Sequence, residues 1–325
     1  MKAMARAIRR LPLAILFVAA IWAGGPAKAA EDTLKLAVGQ RGLLDTSISH
    51  LGQAAGIFKK HGLVLEILYT QGAGETMQAV ISSSVDIGVG AGTSGVLSAF
   101  VKNAPVRILS AQATGSAEFW YVPADSSIKS LKEAEGKTIA YSTAGSSTNS
   151  MVLALVKQYN PSLKLVATGS PPSTLTQVMS KQVDIGWASP PFGLKEIDEG
   201  KIRVVARAID ALEIRNQTMR VNVTNLDALQ KKRDQLVRYM RGYRETIAWI
   251  YGNEAAFKKV YAEFAGVSED MAKRIRDEYF PPAMIEPDKI VGLDTAMADA
   301  VSQKFIPAPL SEDQIKTLIQ SMPGQ

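Results

Sequence analysis

The chain has 325 residues, of which 46% are hydrophobic and 21% charged, a balance typical of a soluble α/β protein of about two domains. Its 37 lysines and arginines exceed its 31 aspartates and glutamates, but five of the basic residues and no acidic residue fall within residues 1–29. The rest of the chain is therefore nearly neutral, which argues against nucleic-acid or anionic-membrane binding, and the absence of cysteine excludes disulfides, thiolate chemistry and a lipoprotein anchor.

The first 29 residues have the pattern of a secretory signal peptide. Basic residues precede an apolar run at residues 11–23, and Ala27-Lys28-Ala29 places small residues where a signal peptidase reads them. The run is shorter than the roughly 20 residues of a membrane-spanning helix. We expect cleavage after Ala29 and a periplasmic protein. Arg9-Arg10 leaves twin-arginine export as an alternative to general secretion, although the residues after the pair fit that pattern poorly.

Strands and helices alternate through the first two thirds of the chain. This order predicts right-handed βαβ crossovers in parallel sheets. The predicted strands are residues 34–38, 64–69, 85–89, 106–111, 137–141, 163–167 and 202–206. Helical patterns occupy residues 47–60, 72–82, 95–101, 131–135 and 151–159, and the aromatic segment 119–122 suits an extended crossover between lobes, its rings packing in the hinge.

Beyond residue 210 the pattern becomes helical after one more strand at residues 219–223. The predicted helices are residues 227–251, 254–265, 268–279, 288–302 and 311–321, with N-caps at Asp227, Ser268, Asp288 and Ser311. We expect residues 30–122 and 211–325 to form a first lobe, and residues 123–210 a second lobe. The helical tail is expected to pack on the first lobe.

One stretch of the chain occurs twice. Residues 70–93 and 168–190 align without a gap and share Val-Asp-Ile-Gly at positions 85–88 and 183–186. Each copy has the pattern of a loop, an amphipathic helix, a tight turn and a buried strand that ends in a polar loop. We interpret the repeat as two lobes built on one plan, with chance similarity as the alternative.

The loops after the predicted strands are rich in glycine and hydroxyl residues. Helix starts of this kind hold anions through backbone N–H groups, and open α/β sheets bind ligands at the carboxyl ends of their strands. Arg41 is the best-placed fixed charge for an anion, with a solvated surface arginine as the alternative. Trp187 has two interpretations, stacking on a ligand and packing in the core. These loops predict an anion-binding cleft.

Catalytic and cofactor motifs find little support. Residues 90–95 satisfy G-x-G-x-x-G, but they follow the wrong strand for a nicotinamide site and lack the acidic residue that should come about 20 positions later. His50 and His61 lack metal-ligand spacing. Asp86 and Asp184 suggest either a catalytic pair or two residues that cap the turns before their strands, and we favour caps. We therefore predict no enzyme, no cofactor and no metal.

Residues 49–100 and 136–156 resemble the extracytoplasmic solute-binding proteins of ABC importers in the nitrate, sulfonate, taurine and thiamine-precursor group. The resemblance implies an α/β type II periplasmic binding protein fold, with two lobes joined by a two-strand hinge around a ligand cleft. It implies capture of a small organic anion, sulfonate- or carboxylate-like, for delivery to an ABC permease in the inner membrane. An enzyme on the same fold, of pyrimidine-precursor or menaquinone-pathway type, and a sensor remain alternatives.

The resemblance and the loop pattern together give the candidate ligand site. Thr148-Asn149 stand where several relatives have a histidine, so a particular sulfonate specificity does not transfer. We expect a monomer without a nucleic-acid partner. The candidate ligand-binding residues are Gln40, Arg41, Gly72, Ala73, Thr93, Ser94, Ser142, Ser146, Ser147, Thr148, Ser170 and Trp187.

Overall fold

The strands of the chain fall into two sheets. The computed structural model describes residues 31–212 and 214–322, so the predicted signal peptide and its cleavage site lie outside the described residues. In chain order the strands are β1 (Asp32–Gly39), β2 (Leu63–Thr70), β3 (Ile87–Gly92), β4 (Val106–Thr114), β5 (Phe119–Pro123), β6 (Thr138–Tyr141), β7 (Lys164–Ala167), β8 (Gly186–Ala188), β9 (Ile202–Arg207) and β10 (Thr218–Asn225).

Helices connect these strands and form most of the chain after β10. They are α1 (Ile48–Ala54), α2 (Ile57–Lys60), α3 (Ala73–Ile81), α4 (Thr93–Val101), α5 (Ser147–Tyr159), α6 (Pro171–Met179), α7 (Leu194–Asp198), α8 (Leu226–Lys231), α9 (Arg233–Gly252), α10 (Glu254–Ala265), α11 (Glu269–Arg274), α12 (Leu293–Ser302) and α13 (Glu312–Leu318). The single helix predicted at residues 47–60 is broken, because Gly56 has a φ of 74°. Within residues 31–212 and 214–322, no helix combines the length and apolarity that a membrane span requires.

The first sheet has the strand order β2-β1-β3-β10-β4. Strand β1 runs parallel to β2 and β3, as predicted, whereas β10 is antiparallel to β3 and β4. No direction was predicted for β10, which lies beyond the alternating part of the chain, and it is antiparallel because it joins the sheet from the opposite end, after the chain has built the second sheet. Alternate residues of β1 face two separate cores: Leu36 and Val38 pack on one side, and Ala37 on the other.

The second sheet consists of β8-β5-β9 and the parallel pair β6-β7, joined by a parallel bridge between Ile139 and Ile185. Strand β5, predicted to be a crossover, is the middle strand of the antiparallel trio. Its aromatic side chains are buried, and the Trp120 indole N–H donates to the Ala140 carbonyl at 2.9 Å. The rings of β5 therefore pack within a sheet.

The tail helices pack against the elements around the first sheet. The Tyr239 hydroxyl on α9 lies 2.8 Å from the Ser49 hydroxyl on α1, and its ring stacks on Phe58 of α2. The Tyr261 hydroxyl of α10 donates to the Gly42 carbonyl at 2.9 Å. A hydrogen-bonded path thus connects the tail to the loop that follows β1.

Two of the four predicted helix caps are confirmed. The hydroxyls of Ser268 and Ser311 accept backbone N–H bonds at the starts of α11 and α13. The cap predicted at Asp227 is wrong, because the side chain of Asn225 caps that helix. Asp288 is also not a cap: α12 begins at Leu293, and the Asp288 carboxylate instead accepts from Arg244 at 2.6 Å. Acidic residues near a helix start therefore did not mark the start itself.

Candidate functional site

The repeated stretch folds into the same local structure in both copies. The hydroxyls of Thr70 and Thr76 lie 2.8 Å apart in the first copy, and those of Thr168 and Thr174 lie 2.6 Å apart in the second. In each copy the second threonine also bonds to the carbonyl of the N-cap residue of its helix. These matched bonds tie a strand end to the helix that follows it, so the repeat is a structural one.

The aspartates of the two copies make equivalent hydrogen bonds in the two sheets. The Asp86 carboxylate accepts the Lys35 backbone N–H at 2.8 Å, and the Asp184 carboxylate accepts the Thr138 backbone N–H at 2.9 Å. Each aspartate thus fastens its strand to the neighbouring strand, whereas we predicted a cap on the preceding turn. Burial alone would raise the pKa of Asp184, but hydrogen bonds from Thr138 and Lys137 outweigh it and lower that pKa.

The glycine that ends each Val-Asp-Ile-Gly segment lets a helix approach its strand. A β-carbon on Gly88 would lie 2.7 Å from Val80, and a β-carbon on Gly186 would lie 2.8 Å from Val178. Real β-carbons do not come this close to their neighbours. The valines are themselves equivalent in the repeat, so both copies need glycine for the same packing reason.

Nine of the twelve predicted ligand-binding residues line one cavity. Its volume is about 40 Å³, enough for roughly three water molecules. The nine residues are Gln40, Gly72, Ala73, Ser142, Ser146, Ser147, Thr148, Ser170 and Trp187, and the wall is completed by Gly39, Leu43, Thr46, Gln71, Gly90, Pro171 and Arg220. The wall draws on both copies of the repeat, on strand β3 at Gly90 and on the loops after β1 and β6.

Two helix starts on this wall offer backbone N–H groups. The first helical bond of α3 runs from the Thr76 N–H to the Gly72 carbonyl, and that of α5 runs from the Ser150 N–H to the Ser146 carbonyl. In α3 the N–H groups that precede Thr76 have no i−4 carbonyl partner within the helix, whereas in α5 the Asn149 N–H already bonds to Ser146, so only the Ser147 and Thr148 N–H groups are left without one. The cavity therefore meets the positive ends of two helix dipoles and their N–H donors.

The start of α6 is different, although it lines the same cavity. Its first two residues, Pro171 and Pro172, have no N–H group. The Ser170 hydroxyl already accepts the Ser173 N–H at 3.4 Å. The second copy of the repeat therefore contributes a hydroxyl and a rigid wall to the cavity, and fewer backbone donors.

Trp187, on the cavity wall, has an indole N–H without an acceptor among the described residues. The residue is 4% exposed, and its indole nitrogen has no hydrogen-bond partner among residues 31–212 and 214–322. A buried N–H without an acceptor costs about 1–3 kcal/mol, which a bound ligand or water would recover. The ring also belongs to the main hydrophobic core, so Trp187 both packs there and lines the cavity.

Arg220 is the site residue that sequence reasoning missed. Its side chain is 7% exposed, and its guanidinium pairs with Asp45 at 2.7 Å and with Glu118. It also donates to the Ser147 hydroxyl at 2.9 Å, at the start of α5. Both carboxylates are completely buried, so one cation faces two acidic groups. The available signal was an arginine within the predicted strand at residues 219–223.

Three predicted residues do not line this cavity. Arg41 places its guanidinium carbon 4.5 Å from the centre of the Phe264 ring. The Thr93 hydroxyl donates to the Thr218 carbonyl at 2.6 Å, and the Ser94 hydroxyl accepts from Ser150 at 3.1 Å. In this structure Arg41 contacts the tail, whereas Thr93 and Ser94 make structural bonds at the start of α4.

The two histidines also lie outside the cavity wall. The His50 ring stacks on Phe264 with 3.9 Å between ring centres, and burial, followed by the charge of Arg41, lowers its pKa. His61 bonds to Glu245 at 2.9 Å. Within residues 31–212 and 214–322, no cluster of three or more His, Cys, Asp or Glu residues is arranged to hold a metal ion.

The glycines of the G-x-G-x-x-G sequence have a packing role. A β-carbon on Gly92 or Gly95 would lie 2.6 or 2.5 Å from the carbonyl oxygen of Gly145. Gly145 itself has a φ of 76° and lies next to the start of α5. These residues allow two backbone segments to meet beside the cavity, one at the start of α4 (Gly92 and Gly95) and one before α5 (Gly145), and we call this contact the glycine seam.

Comparison with known proteins identifies the fold and the family. No curated protein matches the sequence. The structure is similar to the alkanesulfonate-binding protein SsuA from Xanthomonas axonopodis pv. citri bound to MOPS, at 17% identity and a TM-score of 0.73, over 90% of this chain and 100% of that one. The periplasmic nitrate-binding protein NrtA from Synechocystis PCC 6803 is 12% identical, with a TM-score of 0.69, over 89% and 86% of the two chains.

An enzyme has the same general fold. The desulfurization enzyme DszB is 14% identical to this chain, with a TM-score of 0.62, over 87% of this chain and 96% of that one. Residues 47–256, more than half of the sequence, match the family model described as NMT1/THI5 like. The chain therefore has the fold of periplasmic binding proteins and belongs to the NMT1/THI5-like family.

Proposed function

We propose that this chain is the extracytoplasmic ligand-binding component of an ABC importer and that it captures a small anion, sulfonate- or carboxylate-like, in the cavity lined by Trp187. The observation that carries the proposal is that the α3 and α5 starts line one cavity together with Trp187, whose indole N–H has no partner among the described residues. The fold similarity to SsuA and NrtA, which are named as alkanesulfonate- and nitrate-binding proteins, supports the ligand class.

An anion in this cavity would be held mainly by dipoles. The charge of Arg220 is already offset by Asp45 and Glu118, so the guanidinium is not a free counter-ion. Backbone N–H groups at helix starts remain, and they interact with negative charge without having to give up an ion pair. The small volume suits an inorganic anion or the charged head of an organic one.

Capture would proceed by closure without chemistry. In the proposed division, residues 30–122 and 211–325 form one lobe, and residues 123–210 form the other. The glycine seam joins segments that belong to different lobes in this division. Opening of the seam would admit the ligand, and the closed form would dock on a membrane permease, because a ligand that binds the closed state better shifts the population toward it.

The test is ligand binding by the purified chain after export. Thermal unfolding would be measured with nitrate, ethanesulfonate, taurine, acetate, succinate and a pyrimidine, and each hit would be confirmed by calorimetry. A ligand at 100 times its Kd should stabilise the folded state by about 2.7 kcal/mol. N-terminal sequencing of the periplasmic fraction would test for cleavage after Ala29.

A matched pair of tryptophan variants locates the site. The ligand should change the fluorescence of wild type and of Trp249→Phe, because Trp249 lies on α9 away from the cavity wall. The change should be lost in Trp187→Phe. No binding by any of the anions, or an undiminished fluorescence change in Trp187→Phe, would contradict the proposal.

The fold shared with DszB keeps an enzyme as the second candidate. Nuclear magnetic resonance spectra of each hit, recorded before and after overnight incubation with the protein, separate the two. A binding protein returns its ligand unchanged, whereas new resonances that depend on the protein would establish a reaction.

A further inference from the structure

The two proposed lobes also meet at a place away from the glycine seam. Asp198 ends α7 in the second proposed lobe, and Arg274 ends α11 in the tail. The Nη1 atom of Arg274 lies 3.1 and 3.0 Å from the two carboxylate oxygens of Asp198. We call this contact the interlobe ion pair. Neither residue lines the proposed anion cavity, so any effect of the pair on a ligand must act through the lobes.

The counter-charge of Asp198 lies on the other proposed lobe. Partial negative charge gathers at the last carbonyls of a helix, so a carboxylate at the end of α7 gains nothing from its own helix. Within residues 31–212 and 214–322, Asp198 has no other ion pair within 4.0 Å. Its attractive interaction with charge therefore comes from Arg274, across the boundary between the lobes.

The tail holds Arg274 on the side of the first lobe. Arg276, two positions later, is buried and donates to Glu254 of α10 at 2.8 Å. Helix α10 is in turn fixed by the bond from the Tyr261 hydroxyl to the Gly42 carbonyl, in the loop that follows β1. The same loop contributes to the wall of the anion cavity. The interlobe ion pair thus joins the second lobe to the elements that build one side of that cavity.

Apolar packing between the lobes is incomplete beside the interlobe ion pair. The ring of Phe192, just before α7, approaches Gly42, since a β-carbon on that glycine would lie 3.5 Å from it. Ala265 and Val267 of the tail share with Phe192 the wall of a cavity of about 290 Å³. Because apolar contact covers only part of this boundary, the ion pair supplies a larger share of the attraction here than it would across a closely packed one.

Solvent reaches both partners, which suits a contact that has to break and form again. The side chains of Arg274 and Asp198 are 34% and 44% exposed. A completely buried pair would leave unpaired charges in the interior when its partners separate, and such charges are strongly destabilising. At the observed exposure each group is rehydrated when the lobes part, so the pair contributes a small and reversible stabilisation.

We propose that the interlobe ion pair stabilises the closed state and slows release of the ligand. The inference rests on the proposed function, because closure around an anion is the step that the pair would affect. A contact made in the closed state alone raises the closed population, and a ligand that binds this state then dissociates more slowly. Breaking the pair should therefore raise the dissociation rate constant while the contacts of the anion itself stay intact.

A double-mutant cycle tests the pair by combining Asp198→Asn with Arg274→Gln. The probe is the tightest binder among nitrate, ethanesulfonate, taurine, acetate and succinate, with calorimetry for the Kd and stopped-flow tryptophan fluorescence for the rates. Each single variant should raise the Kd about three-fold through faster dissociation, as expected for a partly exposed ion pair. The double variant should also lie about three-fold above wild type, because both changes remove one interaction. Independent effects, which would multiply to roughly nine-fold, or an unchanged Kd in the single variants would overturn the inference.

Glu278→Gln is the matched control. Glu278 accepts a hydrogen bond from the Nε atom of Arg274 at 3.2 Å but lies in the tail itself, so its loss should leave the Kd unchanged. A rise equal to that of Asp198→Asn would overturn the inference. If none of the anions binds, the importer function is overturned, and small-angle X-ray scattering of the ligand-free chain tests the ion pair by itself. Asp198→Asn should then have a larger radius of gyration than wild type and Glu278→Gln, and equal radii would overturn the inference.

Discussion

The two copies of the repeat share a backbone plan and differ in what they present to the cavity. The first copy leads into α3 through Gly72-Ala73-Gly74, and the second leads into α6 through Ser170-Pro171-Pro172. Both helix starts are fastened by the same threonine pair, with hydroxyls 2.8 and 2.6 Å apart. The first copy has backbone N–H donors at its helix start, whereas the second has two prolines there, which are rigid and have no N–H group. The scaffold and the ligand contacts can therefore vary independently.

The neighbouring strands extend this comparison. Gly88 of the first copy is paired with Val223 on the neighbouring strand, and Gly186 of the second copy is paired with Tyr121. The same position therefore holds a buried apolar side chain in the first sheet and a buried phenol in the second. Variants of the two copies and of the cavity wall test this difference.

The largest effect is expected from Arg220→Met, which removes the guanidinium that bonds to Ser147 at the start of α5. Asp45 and Glu118 would remain buried without their counter-charge, and breaking a buried pair costs about 3–5 kcal/mol. Urea unfolding measures the loss. Arg233→Met, at an exposed position, should change the free energy of unfolding by no more than about 0.5 kcal/mol, and an equally small effect at Arg220 would contradict the cluster's structural role.

Gly88→Ala and Gly186→Ala should each lower the free energy of unfolding by about 1–3 kcal/mol, because the new methyl group overpacks the core. Gly186→Ala should cost more, since its β-carbon would lie 2.5 Å from the Tyr121 ring, whereas the nearest atom at Gly88 is 2.7 Å away. Adding Tyr121→Val to Gly186→Ala should recover part of the loss. Gly252→Ala, with open space around it, is the control. Equal unfolding midpoints for all three alanine variants would refute the packing explanation.

Ala73→Pro gives the first copy the proline that the second copy has at the equivalent position, Pro171. Proline is tolerated at the first position of a helix, so the fold should hold, but one N–H donor to the proposed anion disappears. Loss of a hydrogen bond to a charged ligand should raise the Kd about ten-fold by calorimetry. The reverse change, Pro171→Ala, returns an N–H to α6 and should not weaken binding. An unchanged Kd in Ala73→Pro would remove the α3 start from the site.

The acid limit of stability should depend on Asp184. Its folded pKa lies below the ordinary 3.8, so its contribution is present above that value and is lost as the pH falls through the folded pKa. Asp184→Asn should lower stability at neutral pH and flatten the decline of stability below about pH 4. Asp125→Asn, on the surface, should leave the curve in place, and identical curves for both variants would contradict this role.

The smallest effect is expected from Arg41→Ala, the residue that sequence reasoning placed first for an anion. Its guanidinium lies over Phe264 and off the cavity wall, so only a screened, distant charge is removed. The Kd for the anion should change by less than about two-fold at physiological salt. A ten-fold increase in the Kd would show that Arg41 contributes to anion binding.

Local patterns in the sequence determined much of the first part of the chain. Hydrophobic runs located the strands, and capping residues located α11 and α13 at Ser268 and Ser311. The repeat located the starts of α3 and α6, two of the three helix starts on the cavity wall, because equivalent turns need equivalent residues. These features depend on neighbours within about ten positions, which is why the sequence alone could supply them.

Tertiary structure alone decided the direction of β10 and the partners of Arg220 and Tyr121. Strand direction depends on where the chain returns to the sheet, and Arg220 meets Asp45 from 175 positions away. Arg41 and Gln40 both follow β1, but Gln40 lines the cavity whereas the Arg41 side chain packs on Phe264 of the tail. Long-range contacts of this kind carry no local signal. Equivalent turns in the repeat thus predict the starts of α3 and α6, whereas contacts between distant parts of the chain set which charged side chains lie at the cavity wall.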